Sequence, residues 1–243
     1  KVTGAQNALD IVGTGGDGKK TLNISTASAL TVASNGFPVA KHGNRAISSL
    51  SGSSDALQQL GIETTMKPEK AEKCLGKFNF CFMMAPVYHP AMKNVAPVRR
   101  ELGLKTFFNM LGPLVNPAFP KYQLTGVFNL ELARLYYYLF QKTASRFTVL
   151  YTLDGYDEIS LTGATKAFSN KGERVLTPQD FGVLAHQAST IVGGETVDSS
   201  AAIFTAILNN KGSQEQHNVV CANAGMAIAT AKDLSLIEGF EEA

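Results

Sequence analysis

Residues 13–18 read Gly-Thr-Gly-Gly-Asp-Gly, between an apolar run and an alanine-rich one. Upstream, Ala8-Leu9-Asp10-Ile11-Val12 has the look of a short buried strand, and Ser25 to Ser34 that of a helix. A strand, a glycine turn and a helix N-terminus in that order gather backbone N–H groups at the positive end of a helix dipole, which suits a phosphate. The stretch reads as an anion cradle. Without a ligand, the same segment is an ordinary glycine-rich β-to-α turn.

Two better-known phosphate loops fit poorly. Gly13, Gly15 and Gly18 match the spacing of a dinucleotide fingerprint, but Lys19 and Lys20 stand where an apolar helix start belongs, and no acid ends a second strand. A nucleotide P-loop ends in Gly-Lys-Ser/Thr, which Gly18-Lys19-Lys20 does not supply.

A second polar stretch sharpens the reading. Phe37-Pro38-Val39-Ala40 predicts another short strand, running into a loop from Lys41-His42-Gly43-Asn44-Arg45 to Ser51-Gly52-Ser53-Ser54-Asp55. Neighbouring strand ends of an open parallel sheet share one crevice, and ligands bind there. Two anion-seeking loops at adjacent strand ends point to a sugar carrying several phosphates.

These segments resemble the anthranilate phosphoribosyltransferase family of tryptophan biosynthesis. The resemblance rests on Asp10-Ile-Val-Gly-Thr-Gly-Gly-Asp-Gly with Asn23-Ile-Ser-Thr, and on Lys41-His-Gly-Asn-Arg with Ser51-Gly-Ser-Ser-Asp55. It continues through His89-Pro-Ala-Met, Pro97-Val-Arg-Arg-Glu-Leu-Gly103, Phe108-Asn-Met-Leu-Gly-Pro-Leu-Val-Asn-Pro117 and Gly155-Tyr-Asp-Glu-Ile-Ser160. The motifs span nearly the whole chain in the family's order.

The resemblance implies transfer of the 5-phosphoribosyl group from phosphoribosyl pyrophosphate (PRPP) to the amine of anthranilate, with pyrophosphate leaving. It assigns PRPP to Gly13, Gly16, Asp17, Thr21, Asn23, Ile24, Ser25 and Thr26 of the first loop. From the second it adds Lys41, His42, Gly43, Asn44, Arg45, Ala46, Ile47, Ser48, Ser49 and Ser53. Magnesium falls to Ser25, Asp157 and Glu158; anthranilate falls to Gly13, His42, Asn44 and Arg99. The residues carrying the chemistry are then Ser25, Lys41, Arg99, Asp157 and Glu158. Taken alone, adjacent carboxylates after a strand offer oxygen ligands to a hard cation, yet such pairs are ordinarily solvated surface. Arg99 beside Arg100 likewise reads alone as a solvated helix charge, and its choice over Arg100 rests on the motif. The reaction passes through an oxocarbenium-like state, so its main demand is to stabilise charge on the leaving pyrophosphate. An aniline nitrogen attacks as the neutral base, so His42 is read as a contact or a loop anchor. His89 reads as opening a helix.

A pyrimidine nucleoside phosphorylase-like enzyme is the nearest competing function, but it has no call for Asp157-Glu158 or Lys41-His-Gly-Asn-Arg45. A non-catalytic binding module that keeps the cradle is the other.

Strand and helix patterns alternate along the chain, predicting an α/β fold with a mostly parallel central sheet flanked by helices. Helices are expected at about 54–60, 67–76, 89–102, 106–111, 130–142, 198–208 and 214–231. Strands are expected at 78–84, 122–128 and 147–153, with a hairpin over 165–176. The resemblance implies a nucleoside phosphorylase/phosphoribosyltransferase-like catalytic domain over 1–243. It makes about 86–117 a helical excursion, the remnant of a small lobe. It also implies that the sequence lacks the family's usual N-terminal helical segment and C-terminal helix, and that a homodimer is the expected assembly.

A net charge of +2 with 17% charged residues gives no basic stripe, so nucleic acid is an unexpected partner. Cys74, Cys81 and Cys221 form no Cys-x-x-Cys and no even framework, which points to a reducing compartment. No apolar run reaches the ~18 residues of a membrane span, and no signal peptide opens the sequence. A cytoplasmic enzyme is expected.

Overall fold

The computed structural model describes residues 2–45, 52–92, 94–95, 101 and 110–243. Strand β1 (Leu9–Gly13) leads to helix α1 (Ile24–Ser34), strand β2 (Val39–Gly43) and helices α2 (Ser53–Gln59) and α3 (Pro68–Phe78). Strand β3 (Phe80–Met84) and the single turn α4 (Ala85–Tyr88) follow. Beyond come β4 (Tyr122–Gly126), α5 (Leu130–Phe140), β5 (Arg146–Thr152) and the hairpin β6 (Thr165–Ser169) and β7 (Gly172–Leu176). Helices α6 (Val197–Leu208), α7 (Gln214–Lys232) and α8 (Leu236–Glu242) complete the order.

Among the described residues the strands form one sheet in the order β3-β2-β1-β4-β5-β6-β7. β1 to β5 run parallel, and the hairpin adds two antiparallel strands at one edge. The chain lays β2 and β3 on one side of β1, then crosses to place β4 and β5 on the other. The loops leaving β1 and β4 therefore diverge, and the crevice outside their carboxyl ends is where such sheets bind ligands.

Alternation along the strands sorts their side chains onto two faces. Leu9, Ile11, Val39, Phe82, Leu124 and Leu150 join the core beneath α1 and α7. On the opposite face, Ala8, Ala40, Cys81 and Met83 meet Ala71 and Leu75 of α3, while Phe147, Val149 and Phe168 meet Leu132, Tyr136 and Phe140 of α5. With both faces covered, side chains are buried on both sides of the strands, most plainly along Phe80–Met84 of β3, where all five are buried and apolar. Each fully buried large side chain contributes about 1.5–3 kcal/mol.

Several boundaries differ from the sequence reading. β2 begins at Val39 and continues through Lys41 and His42, which the sequence placed in a loop after a strand at Phe37–Ala40. Their backbones pair in register with Phe82 and Met83 of β3, so the ladder continues where side-chain polarity signals an end. Phe78, expected in a strand, closes α3, and Asn79 (φ 55°) makes the left-handed turn into β3. Helix α8 is an addition, opened by Ser235, whose hydroxyl accepts from Glu238 N–H (3.3 Å) while Glu238 Oε2 accepts from Ser235 N–H (2.8 Å). Of the helices expected at 89–102 and 106–111, residues 92, 94, 95, 101, 110 and 111 are helical. Residues 89–91, expected to be helical, are not, and His89 ends α4 instead of opening a helix; residues 93, 96–100, 102 and 106–109 of those two helices lie outside the described residues.

α7 and α8 touch backbone to backbone. A Cβ on Gly225 would sit 2.6 Å from Phe240 Cα and 2.7 Å from its amide nitrogen, and one on Gly239 would overlap the Gly225 carbonyl oxygen. Gly225→Ala is expected to destabilise the protein by about 1–3 kcal/mol, the usual cost of overpacking; urea unfolding checks this. All three cysteines are free, and burial pushes the Cys81 thiol up to about 12. Among the described residues no helix is long and apolar enough to cross a membrane.

Candidate active site

Two glycines facing each other at the switch point make room for a carboxylate. Gly13 of β1 pairs with Gly126 of β4. A Cβ on Gly13 would come within 2.6 Å of Asp157 Oδ2, and one on Gly126 would overlap the Asp157 backbone. The loop after β5 thus reaches across two strand ends that carry no side chains. Thr14 N–H closes the gap to Gly126 O at 2.9 Å.

Gly15, Gly16 and Gly18 adopt φ of +64°, +78° and +73°, a conformation L side chains rarely take, and they curl the turn over that carboxylate. Gly15 N–H donates to Asp157 Oδ2 at 2.7 Å, and Lys19 N–H to Asp17 Oδ1 at 3.0 Å. Lys19 lies over the Tyr156 ring, its Nζ 4.5 Å from the centroid, and so joins the glycine turn to the Asp157 loop.

Helix α1 supplies the second anchor. Its N-cap Asn23 makes no side-chain cap. Instead Ser25 N–H donates to Glu158 Oε1 at 2.8 Å, so a carboxylate far along the chain caps the helix and meets its positive end.

Asp157, Glu158 and Asp17 thus gather in one place. Burial, first, holds the Asp157 carboxyl well above its ordinary range, with the Asp17 charge adding to the shift. Burial likewise raises Glu158, reinforced by Asp157, and it raises Asp17. The charge of Asp17 adds to the pressure on Asp157 to stay neutral, a pressure that a cation held by these carboxylates would relieve. The adjacent Asp157–Glu158 pair offers oxygen ligands to a divalent cation. Among the described residues no three His, Cys, Asp or Glu side chains are grouped to hold a metal alone. The pair therefore suits an ion that completes its shell from phosphate oxygens and a hydroxyl such as that of Ser25.

Asn23, Thr26 and Ile24 surround the start of α1, but Ile24 is a core side chain whose N–H already donates to Leu22 O (2.7 Å). Thr21 bridges to Val192 at the rim.

Lys41 and His42 are not loop residues. Lys41 is 1% exposed, and its Nζ donates to Ile11 O at 2.5 Å. Burial lowers its pKa to about 8, opposed by the charges of Asp10, Glu158 and Asp157. His42 Nδ1 pairs with Gly112 O at 3.1 Å, and its ring meets His89 edge to face at 5.2 Å. Burial lowers His42 to about 4, so the imidazole is neutral at physiological pH. It donates from Nδ1, and Nε2 is an acceptor with no partner among the described residues.

Gly43 packs on the Phe82 ring beside Ser53, and Asn44 Oδ1 accepts from Arg45 N–H at 2.8 Å. Ala46, Ile47, Ser48, Ser49 and Arg99 lie outside the described residues. The sequence reading passed over Gly126, Thr152 and Asn223, which shape or hold the Asp157 loop. It also passed over Asp10, a buried carboxyl raised to about 6 by desolvation, which accepts from His42 N–H at 3.3 Å.

Comparison with known proteins agrees with this geometry. The family described as "Glycosyl transferase family, a/b domain" matches residues 5–243. The anthranilate phosphoribosyltransferase of Christiangramia forsetii is 59% identical over 239 residues, covering 98% of this chain and 72% of that protein. That of Flavobacterium psychrophilum is 57% identical over 237 residues, again with 98% and 72% coverage. Among solved structures, the Thermus thermophilus enzyme superposes with a TM-score of 0.92 at 38% identity, over 98% of this chain and 72% of that one. The Saccharomyces cerevisiae enzyme, solved in complex with PRPP and Mg, gives 0.89 at 29% identity over 97% and 68%. A carboxylate loop threaded between two bare strand ends, in a chain this similar to such relatives from end to end, leaves one assignment: the chain belongs to the anthranilate phosphoribosyltransferase family.

Proposed function

We propose that the crevice at the switch point is where this chain moves the 5-phosphoribosyl group of PRPP onto the amine of anthranilate. The observation that carries this reading is convergence. The glycine turn and the N-terminus of α1 meet the Asp157-Glu158 loop, more than a hundred residues further along the chain, through the Gly15–Asp157 and Ser25–Glu158 hydrogen bonds.

Asp157, Glu158 and the Ser25 hydroxyl would hold magnesium. Bound there, the ion neutralises charge that builds on the departing pyrophosphate. The chain's own groups do the remaining work. Amides of the turn at Gly13, Gly16 and Asp17 face the phosphates, and the α1 dipole favours the same charge. The anthranilate amine attacks as a neutral base, so no strong general base is required. Neutral His42 and Asn44 line the acceptor side, and Arg99 pairs its guanidinium with the anthranilate carboxylate in two-point geometry. A nucleoside phosphorylase, which handles one phosphate, would leave the buried acidic pair without a purpose.

The test is the loss of anthranilate fluorescence in the presence of both PRPP and magnesium. Turnover that depends on both supports the transferase, whereas PRPP binding without turnover would mark a binding module. In the same assay Arg99→Ala is expected to raise the anthranilate KM by on the order of 10–100-fold, the worth of a charged hydrogen bond. PRPP affinity, read by calorimetry, stays unchanged. A matching loss of PRPP affinity would reject the Arg99 assignment.

A further inference from the structure

The segment that carries Asp157 and Glu158 is not part of a strand or helix, yet its backbone is bonded at successive peptides. Thr152 N–H donates to Tyr156 O (3.2 Å), and Thr152 Oγ1 donates to Glu158 O (2.6 Å) while touching Thr165 Oγ1 (2.9 Å). The N–H of that same Glu158–Ile159 peptide, and the carbonyl of the peptide after it, are held by one side chain. Asn223 of α7 accepts from Ile159 N–H through Oδ1 (3.0 Å) and donates through Nδ2 to Ile159 O (2.8 Å). Its second amide hydrogen goes to Val219 O in its own helix (2.9 Å).

Both amide hydrogens and the carbonyl oxygen of Asn223 are therefore used, in a residue 2% exposed. Asparagine is a poor helix-interior residue, and a buried amide is costly unless fully bonded. Here the side chain does what a neighbouring strand would do: it satisfies both polar groups of Ile159, next to Glu158. The flanking residues of α7, Val219, Val220, Ala222 and Ala224, are apolar and buried. The amide thus acts on a loop that has no ladder partner of its own.

We propose that Asn223 is a positioning residue for the acidic pair. By clamping the peptide after Glu158, it fixes where the Glu158 and Asp157 carboxylates stand relative to α1 and the glycine turn, and so sets the affinity for the magnesium–PRPP complex. The inference rests on the reading that this pair holds the metal. Removing a residue that holds a metal ligand in place characteristically changes metal affinity by about 10–100-fold.

Mn2+ binding in the presence of PRPP and without anthranilate, followed by the paramagnetic resonance of free Mn2+, reads this without turnover. Asn223→Ala is expected to weaken Mn2+ binding by about 10–100-fold. Thr230→Val is the control. It removes a hydroxyl bonded to Thr148 Oγ1 (2.7 Å) on the same helix, away from the loop, and should cost stability while leaving Mn2+ affinity intact. Glu158→Gln separates the two levels of the argument. If Glu158→Gln binds Mn2+ like the wild type, the metal reading itself fails. If Glu158→Gln is impaired while Asn223→Ala stays within about twofold of wild type, only the positioning role is overturned. Should Asn223→Ala not fold, Asn223→Ser is judged by the same criterion.

Discussion

Glu158→Gln is expected to give a protein that melts higher without ligands and turns over on the order of 10²–10³-fold more slowly, the usual cost of removing one preorganised charge partner. Both effects have one origin. Glu158 is held in its buried site by a hydrogen bond from Ser25 N–H, with Asp157 next to it and Asp17 near. Its folded pKa lies above the ordinary 4.5, chiefly because burial disfavours the charge. A raised carboxyl gives its full stability below the ordinary value and loses it as pH climbs toward the folded value. The ligand-free wild type should therefore lose stability from the acid side into the neutral range.

Glutamine keeps the acceptor for Ser25 N–H and removes the charge. The variant should be more stable at neutral pH by about 1–4 kcal/mol, as when buried charges are replaced by neutral groups. Its melting temperature should also fall less between pH 5 and pH 8. Calorimetric melting across that range, with and without magnesium and PRPP, checks the claim. A variant that melts below wild type at every pH would refute it, and one that still gains stability from magnesium with PRPP would remove Glu158 from the metal site.

The parts of the site legible in the sequence are those whose physics is local. Gly15, Gly16 and Gly18 announce left-handed backbone, and that is what they adopt. Short stretches rich in apolar, β-branched and aromatic residues announce strands, which is why β1, β3, β4 and β5 lie near their expected places. Lys41 and His42 show the limit of that rule. A lysine usually ends a buried strand, but this one has a carbonyl partner on β1 and three carboxylates in range, so the strand runs on.

The Asp157-Glu158 pair carries no local sign of burial. What makes it a site is the missing Cβ at Gly13 and Gly126 and a helix terminus more than a hundred residues away. Pattern reading cannot weigh such contacts, and the family resemblance supplied the pair instead. Asn223 carries a fainter sign, an amide among the apolar, buried Val219, Val220, Ala222 and Ala224 of α7. Ser235-Leu-Ile-Glu238 is a capping box legible in the sequence, and it opens α8. Arg99 remains a proposal carried by its motif.

Gly126→Ala should be the most damaging single methyl group that can be added at the site. The glycine has no positive φ, so its need is purely steric. A Cβ there would overlap the carbonyl oxygen of Asp157 and lie 2.6 Å from its carbon. Backbone meets backbone, so no rotamer relieves the clash, and either the end of β4 or the carboxylate loop must move by at least about 1 Å. β4 is pinned between β1 and β5 in register, and Gly126 O holds Thr14 N–H. The loop is pinned by Thr152 and Asn223.

Moving either one displaces Asp157 from the glycine turn. A misplacement of that size costs about 10²-fold in rate, and the overpacking costs about 1–3 kcal/mol or more. Gly13→Ala supplies the contrast. Its Cβ would meet the Asp157 carboxylate oxygen at 2.6 Å, the far end of a side chain that can turn away. That variant should keep most of its stability while losing the Gly15–Asp157 bond and much of its activity. Comparing melting temperature with kcat/KM for the two variants separates the cases, and wild-type turnover in Gly126→Ala would mean that the loop does not need the place it occupies.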